Sequence, residues 1–183
     1  VEIVPSRIPG LMLIKPKVFG DDRGSFCETF SRQIFVNAGI TEDFVQDNQS
    51  VSKANVLRGL HFQAPPHAQA KLVRVTRGAV LDVALDIRKG SPTYGQHEAV
   101  LLSAENNLQF YIPAGFAHGF VSLEDHTVFQ YKCSAYYHKA SEGCVLWNDP
   151  ALNINWNVSA PLLSPKDLEG VLLQNFDSPF SYK

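Results

Sequence analysis

Along most of this chain, apolar and polar residues alternate in short runs, and glycine- or proline-rich turns separate the runs. Period-two alternation marks strands that bury one face. It predicts strands over 11–14, 25–30, 44–50, 56–62, 71–76, 79–86, 96–102, 108–112, 118–123, 127–133 and 143–147. Many short strands joined by turns such as Arg88-Lys89-Gly90-Ser91-Pro92 favour an all-β sandwich or barrel, a jelly roll among them. Two short peripheral helices are expected. Ser31 is placed to cap one that ends at Gly39, with Ile34, Phe35 and Ala38 on a shared face. Ser164-Pro165-Lys166-Asp167 opens the other: serine caps, proline suits the first turn, and Asp167 stands where a capping-box acid would.

The run Leu57-Arg58-Gly59-Leu60-His61-Phe62 poses a problem. Strict alternation puts Arg58, Leu60 and Phe62 on one face and Leu57, Gly59 and His61 on the other. A bulge or twist at Gly59 would bring Arg58 and His61 together, because glycine tolerates the backbone that such a distortion needs. Periodicity leaves His61 open between a satisfied structural histidine and a base. A cation beside a neutral imidazole is what an enzyme needs to hold an anion while removing a proton, and Lys71 follows on the next strand.

Length and charge narrow the field. The 183 residues suit one compact domain over 1–183, with no internal repeat or linker. A net charge of -2, with Lys and Arg scattered, argues against tracking a nucleic-acid backbone. No apolar run is long enough to cross a bilayer, and no basic segment followed by a long apolar stretch marks the N-terminus. Cys27, Cys133 and Cys144 are odd in number and widely spaced, as expected of thiols in a reducing cytoplasm.

Several residues could carry chemistry. Ile112 through Phe120 forms a Pro/Gly turn that delivers His118 to the start of an apolar strand. His61 and His118 lack a third metal ligand at suitable spacing, since His67, His97 and Glu98 do not supply one, so no metal is expected. Tyr131, Tyr136 and Tyr137 can be packing aromatics or, beside a reacting carbon, a general acid. Arg23, Arg58, Lys71 and Arg74 can neutralise phosphate oxygens or simply lie on the surface. No phosphate loop or dinucleotide fingerprint supports ATP hydrolysis or hydride transfer. Asp167 is open between helix cap and partner of an imidazole.

Longer segments carry a resemblance. They are Phe19 through Phe26, Phe44-Val45-Gln46-Asp47-Asn48, Val56 through Gln63, Lys71 through Val75, Asp86 through Thr93, Ile112 through Phe120, and Trp147-Asn148-Asp149-Pro150. In this order they resemble the dTDP-4-dehydrorhamnose 3,5-epimerase family, from about Val4 to Asp167. The resemblance implies a cupin-type jelly-roll homodimer whose N-terminal strands help complete the partner's sheet. It implies an enzyme without metal or other cofactor, acting on dTDP-4-dehydro-6-deoxy-D-glucose.

Matched residue by residue, His61 falls at the general base, Asp167 at its orienting partner and Tyr131 at the acid that reprotonates the opposite sugar face. Lys71 falls at the group stabilising charge on the C4 oxygen, and Arg58 at a diphosphate contact. Arg23, Phe26, Glu28, Gln46, Asn48 and Tyr137 fall at nucleotide-site positions, some contributed across the dimer, and His118 matches a pocket residue. His97 replaces a common tryptophan, Trp156-Asn157 replaces a frequent Trp-Pro pair, and an arginine familiar near Glu142-Gly143 is absent. The enzymatic alternative is a single-centre epimerase of a dTDP-4-keto-6-deoxyhexose. A sugar-nucleotide binder and a ligand-free β-dimer are the non-enzymatic ones.

Overall fold

The computed structural model describes residues 1–182, and its strands, numbered along the chain, pair in antiparallel fashion into two stacked sheets and a separate hairpin. The first sheet runs β1 (Glu2–Pro5), β2 (Met12–Lys15), β10 (Gln109–Ile112), β7 (Lys71–Arg77), β12 (Thr127–Cys133), β5 (Gln46–Ser52). The second runs β13 (Glu142–Cys144), β6 (Leu57–Gln63), β11 (Phe116–Ser122), β8 (Ala79–Asp86), β9 (His97–Ser103). This is the expected cupin-type jelly-roll sandwich. The hairpin pairs β3 (Val18–Asp21) with β4 (Gly24–Cys27) and joins neither sheet.

Alternation along the strands builds three apolar layers. Val73, Val75, Phe110 and Phe129 of the first sheet meet Val80, Ala84, Leu102 and Phe120 of the second between the sheets. The outer face of the second sheet is covered by the C-terminal segment through Val145, Leu152, Trp156 and Phe180. The outer face of the first is partly covered by Phe35 and Ile40, which pack on Ile14, Leu72 and Tyr111.

Two strands escape the sequence pattern, β1 and β3. Every residue of β3 is exposed and only one of the four in β1 is partly buried, so neither has an apolar face to alternate. The strand expected over 25–30 is limited to β4. Helix α1 (Arg32–Asn37) forms where expected and Gly39 follows it at φ +91°, but the Ser31 side chain makes no capping bond. Only Phe35 of its expected face is buried within the helix. Helix α2 (Pro165–Leu168) has the complete capping box.

Candidate active site

Strand β6 resolves the conflict within its sequence by bulging. Opposite β11, His61 pairs with His118 but Arg58 pairs with Phe120, so Gly59 and Leu60 together oppose Gly119 alone. The expectation that Arg58 shares a face with Leu60 and Phe62 is therefore corrected. Leu57, Leu60 and Phe62 all pack outward, while Arg58 and His61 line one cavity between the sheets. Glycine is needed at the distortion. Gly59 has φ +135°, and a Cβ there would lie 2.5 Å from the Gly119 Cα.

The bulge also aims a backbone donor. The Gly59 N–H donates to Asp167 Oδ1 at 3.0 Å, and His61 Nε2 lies 2.8 Å from the same oxygen. The His61 contact is as short as an ion pair but is not aligned as a hydrogen bond. Asp167 Oδ2 accepts from the Ser164 hydroxyl at 2.6 Å and from the Ser164 N–H at 3.2 Å. Burial raises the pKa of this carboxyl, but contacts with His61, Ser164 and Gly59 outweigh burial and hold it well below the usual range. Asp167 is thus both helix cap and imidazole partner; the two sequence readings are compatible because a carboxylate has acceptor sites to spare.

Around the same cavity, of about 310 Å³, stand Ser50, Lys71, His118, Phe129, Tyr131, Glu142 and Lys166. Burial lowers the pKa of Lys71, although negative charge at Cys133, Asp82 and Glu142 would oppose it. Burial raises that of Tyr131, so its phenol holds its proton at neutral pH. His118 Nε2 is 2.8 Å from Asp82 Oδ2. A carboxylate can only accept, which puts the ring proton on Nε2. Burial keeps His118 neutral, with Lys71 and His61 acting in the same direction and Asp82 against it.

An adjoining hollow extends the site outward past Lys71, Tyr131 and Glu142 to Gln46, Asn48 and Tyr137. Gln46 Nε2 donates to Asn48 Oδ1, and Gln46 Oε1 accepts the Tyr137 N–H. At the rim, Tyr137 Oη donates to Glu142 Oε2, whose other oxygen pairs with Lys166. The structure thus gathers nine of the twelve predicted site residues. Arg23, Phe26 and Glu28 are absent from the linings of both hollows: Arg23 and Phe26 belong to the exposed hairpin, and exposed Glu28 directly follows it.

Sequence reasoning missed Asp82, Glu142, Lys166, Ser50 and Ser164 as site residues. Asp82 did leave a signal, as a lone acid inside Ala79-Val80-Leu81-Asp82-Val83-Ala84-Leu85. Among the described residues, no three His, Cys, Asp or Glu side chains converge on a metal position, and no helix is long and apolar enough to cross a membrane.

Comparison with known proteins places the chain in a family. A family model described as dTDP-4-dehydrorhamnose 3,5-epimerase matches residues 5–175. The chain is 53% identical over 173 residues to the dTDP-4-dehydrorhamnose 3,5-epimerase of Salmonella typhimurium, covering 93% of this chain and 94% of that relative. It superposes with a TM-score of 0.95 on the dTDP-6-deoxy-D-glucose-3,5-epimerase of Legionella pneumophila in complex with dTDP-4-keto-L-rhamnose, at 47% identity over 100% of this chain and 98% of that one. A 3'-monoepimerase from Streptomyces bikiniensis in complex with dTDP-quinovose gives a TM-score of 0.88 and 39% identity, over 93% and 87% of the two chains.

Proposed function

The chain belongs to the dTDP-4-dehydrorhamnose 3,5-epimerase family, and on that premise we propose that it inverts C3 and C5 of dTDP-4-dehydro-6-deoxy-D-glucose to give dTDP-4-dehydro-L-rhamnose. One observation carries the reading: His61, backed by Asp167, shares a cavity with a half-buried lysine, Lys71, and a protonated phenol, Tyr131.

The C4 ketone acidifies the hydrogens on both neighbouring carbons, yet imidazole is a weak base for a C–H bond. With the ring proton on the Nε2 that faces Asp167, Nδ1 carries the lone pair that takes the substrate proton. The C–H electron pair passes into the bond between that carbon and C4, and the carbonyl π pair moves onto the ketone oxygen. Lys71 stabilises that enolate oxygen, a contribution of roughly 3–4 kcal/mol for one well-placed donor. Tyr131 then gives its phenolic proton to the opposite face of the carbanionic carbon. The ketone re-forms, and the tyrosinate and imidazolium exchange protons with solvent. No carbon changes its oxidation state overall, so the chemistry asks for no redox partner.

Arg58 suits the diphosphate, and Gln46, Asn48 and Tyr137 suit the nucleotide end of the outer hollow. We place Arg23, Phe26 and Glu28 in the site of a second copy, in a homodimer. The support is that a lone two-stranded hairpin is barely stable in water, and that this one exposes Phe19 at 53% and Phe26 at 69%. Phe26→Ala should raise KM with kcat little changed; an unchanged KM would remove the arm from the nucleotide site. Three unpaired cysteines suit a cytoplasmic enzyme.

The decisive experiment is NMR of the reaction in D2O with this substrate. Deuterium at both C3 and C5, with both centres inverted, is expected. The likeness to a 3'-monoepimerase keeps a single-centre reaction as the second reading, and label with inversion at one carbon only would establish it. No label at either carbon, with substrate bound intact, would leave a binding protein.

A further inference from the structure

We propose that Ser164 is a positioning residue for the reaction: the capping box of α2 fixes the Asp167 carboxylate so that one oxygen is committed to the helix and the other to His61. The proposal rests on His61 being the base. Its ground is the division of labour between the two carboxylate oxygens. Oδ2 is held by the Ser164 hydroxyl and N–H, whereas Oδ1 receives only the Gly59 N–H and the approach of His61 Nε2.

A capping box ordinarily exists to satisfy the first amide groups of a helix. Here the helix is four residues long and its first-turn acid is almost fully buried, so its carboxylate needs compensating donors. Without the hydroxyl of Ser164, Oδ2 would lose its shortest partner and the carboxylate could turn about its Cβ–Cγ bond. The Gly59 N–H would then hold Oδ1 alone, and the imidazole would lose its fixed neighbour. The other titratable groups around Asp167 are Cys144 and Glu142 on β13 and Lys166 on α2 itself. Lys166 is already engaged by Glu142 and so tethers α2 to β13. The helix is thereby held at two points, while the carboxylate within it depends on Ser164.

Ser164→Gly tests this, because glycine is tolerated at an N-cap at a cost of only a few tenths of a kcal/mol relative to serine. A hydrogen bond to a charged group is worth enough that kcat should fall about 10–100-fold, with KM changed less than about twofold. Ser164→Thr, which restores a hydroxyl, should recover most of the loss. The same Ser164→Gly change made in Asp167→Asn should cost less than about twofold more, because residues acting through one another are not additive. A purely structural serine would lower the melting temperature and leave kcat untouched below it. Wild-type kcat in folded Ser164→Gly, or full additivity with Asp167→Asn, would overturn the proposal. Should His61→Asn retain turnover, the base assignment itself fails, whatever Ser164 does.

Discussion

Two histidine–aspartate pairs face the same cavity at the same 2.8 Å separation, yet they are built for different work. His61–Asp167 joins the bulged strand β6 to a helix cap, and its imidazole keeps about a quarter of its surface open. His118–Asp82 joins two central strands and is closed off almost entirely. Asp167 has both oxygens engaged, whereas Asp82 Oδ1 has no hydrogen-bond partner among the described residues. A base must change charge on every turnover, so it needs an anchored counter-charge and access to substrate. A fully buried ring resists protonation and can only orient or accept. On the proposed mechanism, identical residue types at identical distance separate into base and neutral pocket wall through their surroundings.

The largest expected effect breaks the first pair. His61→Ala and His61→Asn should cut solvent exchange at the substrate carbons by more than about 10³-fold, the scale on which loss of a catalytic base acts, while leaving the fold intact. Near-wild-type turnover in both would return the base to another group. Next comes the far face. Tyr131→Phe should reduce complete epimerisation by about 10²-fold, in the range for a lost general acid, and reduce the initial exchange much less. Equal wild-type rates for both processes would remove Tyr131 from the acid's role. Both measurements need saturating substrate and a separate check of binding.

The second pair should respond more weakly. His118→Asn keeps a polar side chain but is too short to place a donor where Nε2 meets Asp82, and is expected to lower kcat/KM by about tenfold, as for one hydrogen bond of roughly 1.4 kcal/mol. A loss as large as that of His61→Asn would mean the two rings share the proton transfer, and the contrast drawn from burial would collapse.

How much of this arrangement was legible in the chain depends on what each feature rests on. Strands with one buried face, such as β12, announce themselves because alternation is the direct imprint of that face. The exposed strands β1 and β3 leave no such imprint, since backbone pairing is indifferent to side-chain polarity. His61, Lys71, Tyr131 and Asp167 stood out as candidates by residue type and position, and the resemblance gave them roles, whereas periodicity by itself separated Arg58 from His61. Gly59 was the visible hint of the correction, because only a residue without a side chain allows β6 and Gly119 to approach so closely. Asp82 was readable as a charge in an apolar strand, but its partner lies 36 positions away, and no local rule connects them. The Glu142–Lys166 pair was hidden for the same reason: it spans β13 and α2, which meet only once the C-terminal segment has wrapped the second sheet.

The smallest effect sharpens the contrast through stability, because the two pairs should fail in different pH windows. The Asp167 carboxyl is held below its unfolded value, so its contribution is complete above about pH 4 and is lost as pH falls toward the folded pKa. The gap in urea-unfolding free energy between wild type and Asp167→Asn should accordingly narrow below about pH 4. His118 also has a depressed folded pKa, but for a base the consequence appears at a higher pH. As pH falls through about 6.5, the unfolded chain binds a proton that the buried native ring refuses, and stability declines until the folded pKa is reached. That decline can amount to at most about 1.4 kcal/mol per pH unit for one group. His118→Asn should flatten the stability profile between about pH 6.5 and 5, a window in which Asp167 stays ionised in both folded and unfolded chains. An unchanged slope in His118→Asn would show that its ring is protonated as readily in the native protein as in the unfolded one. Burial would then no longer distinguish the two histidines.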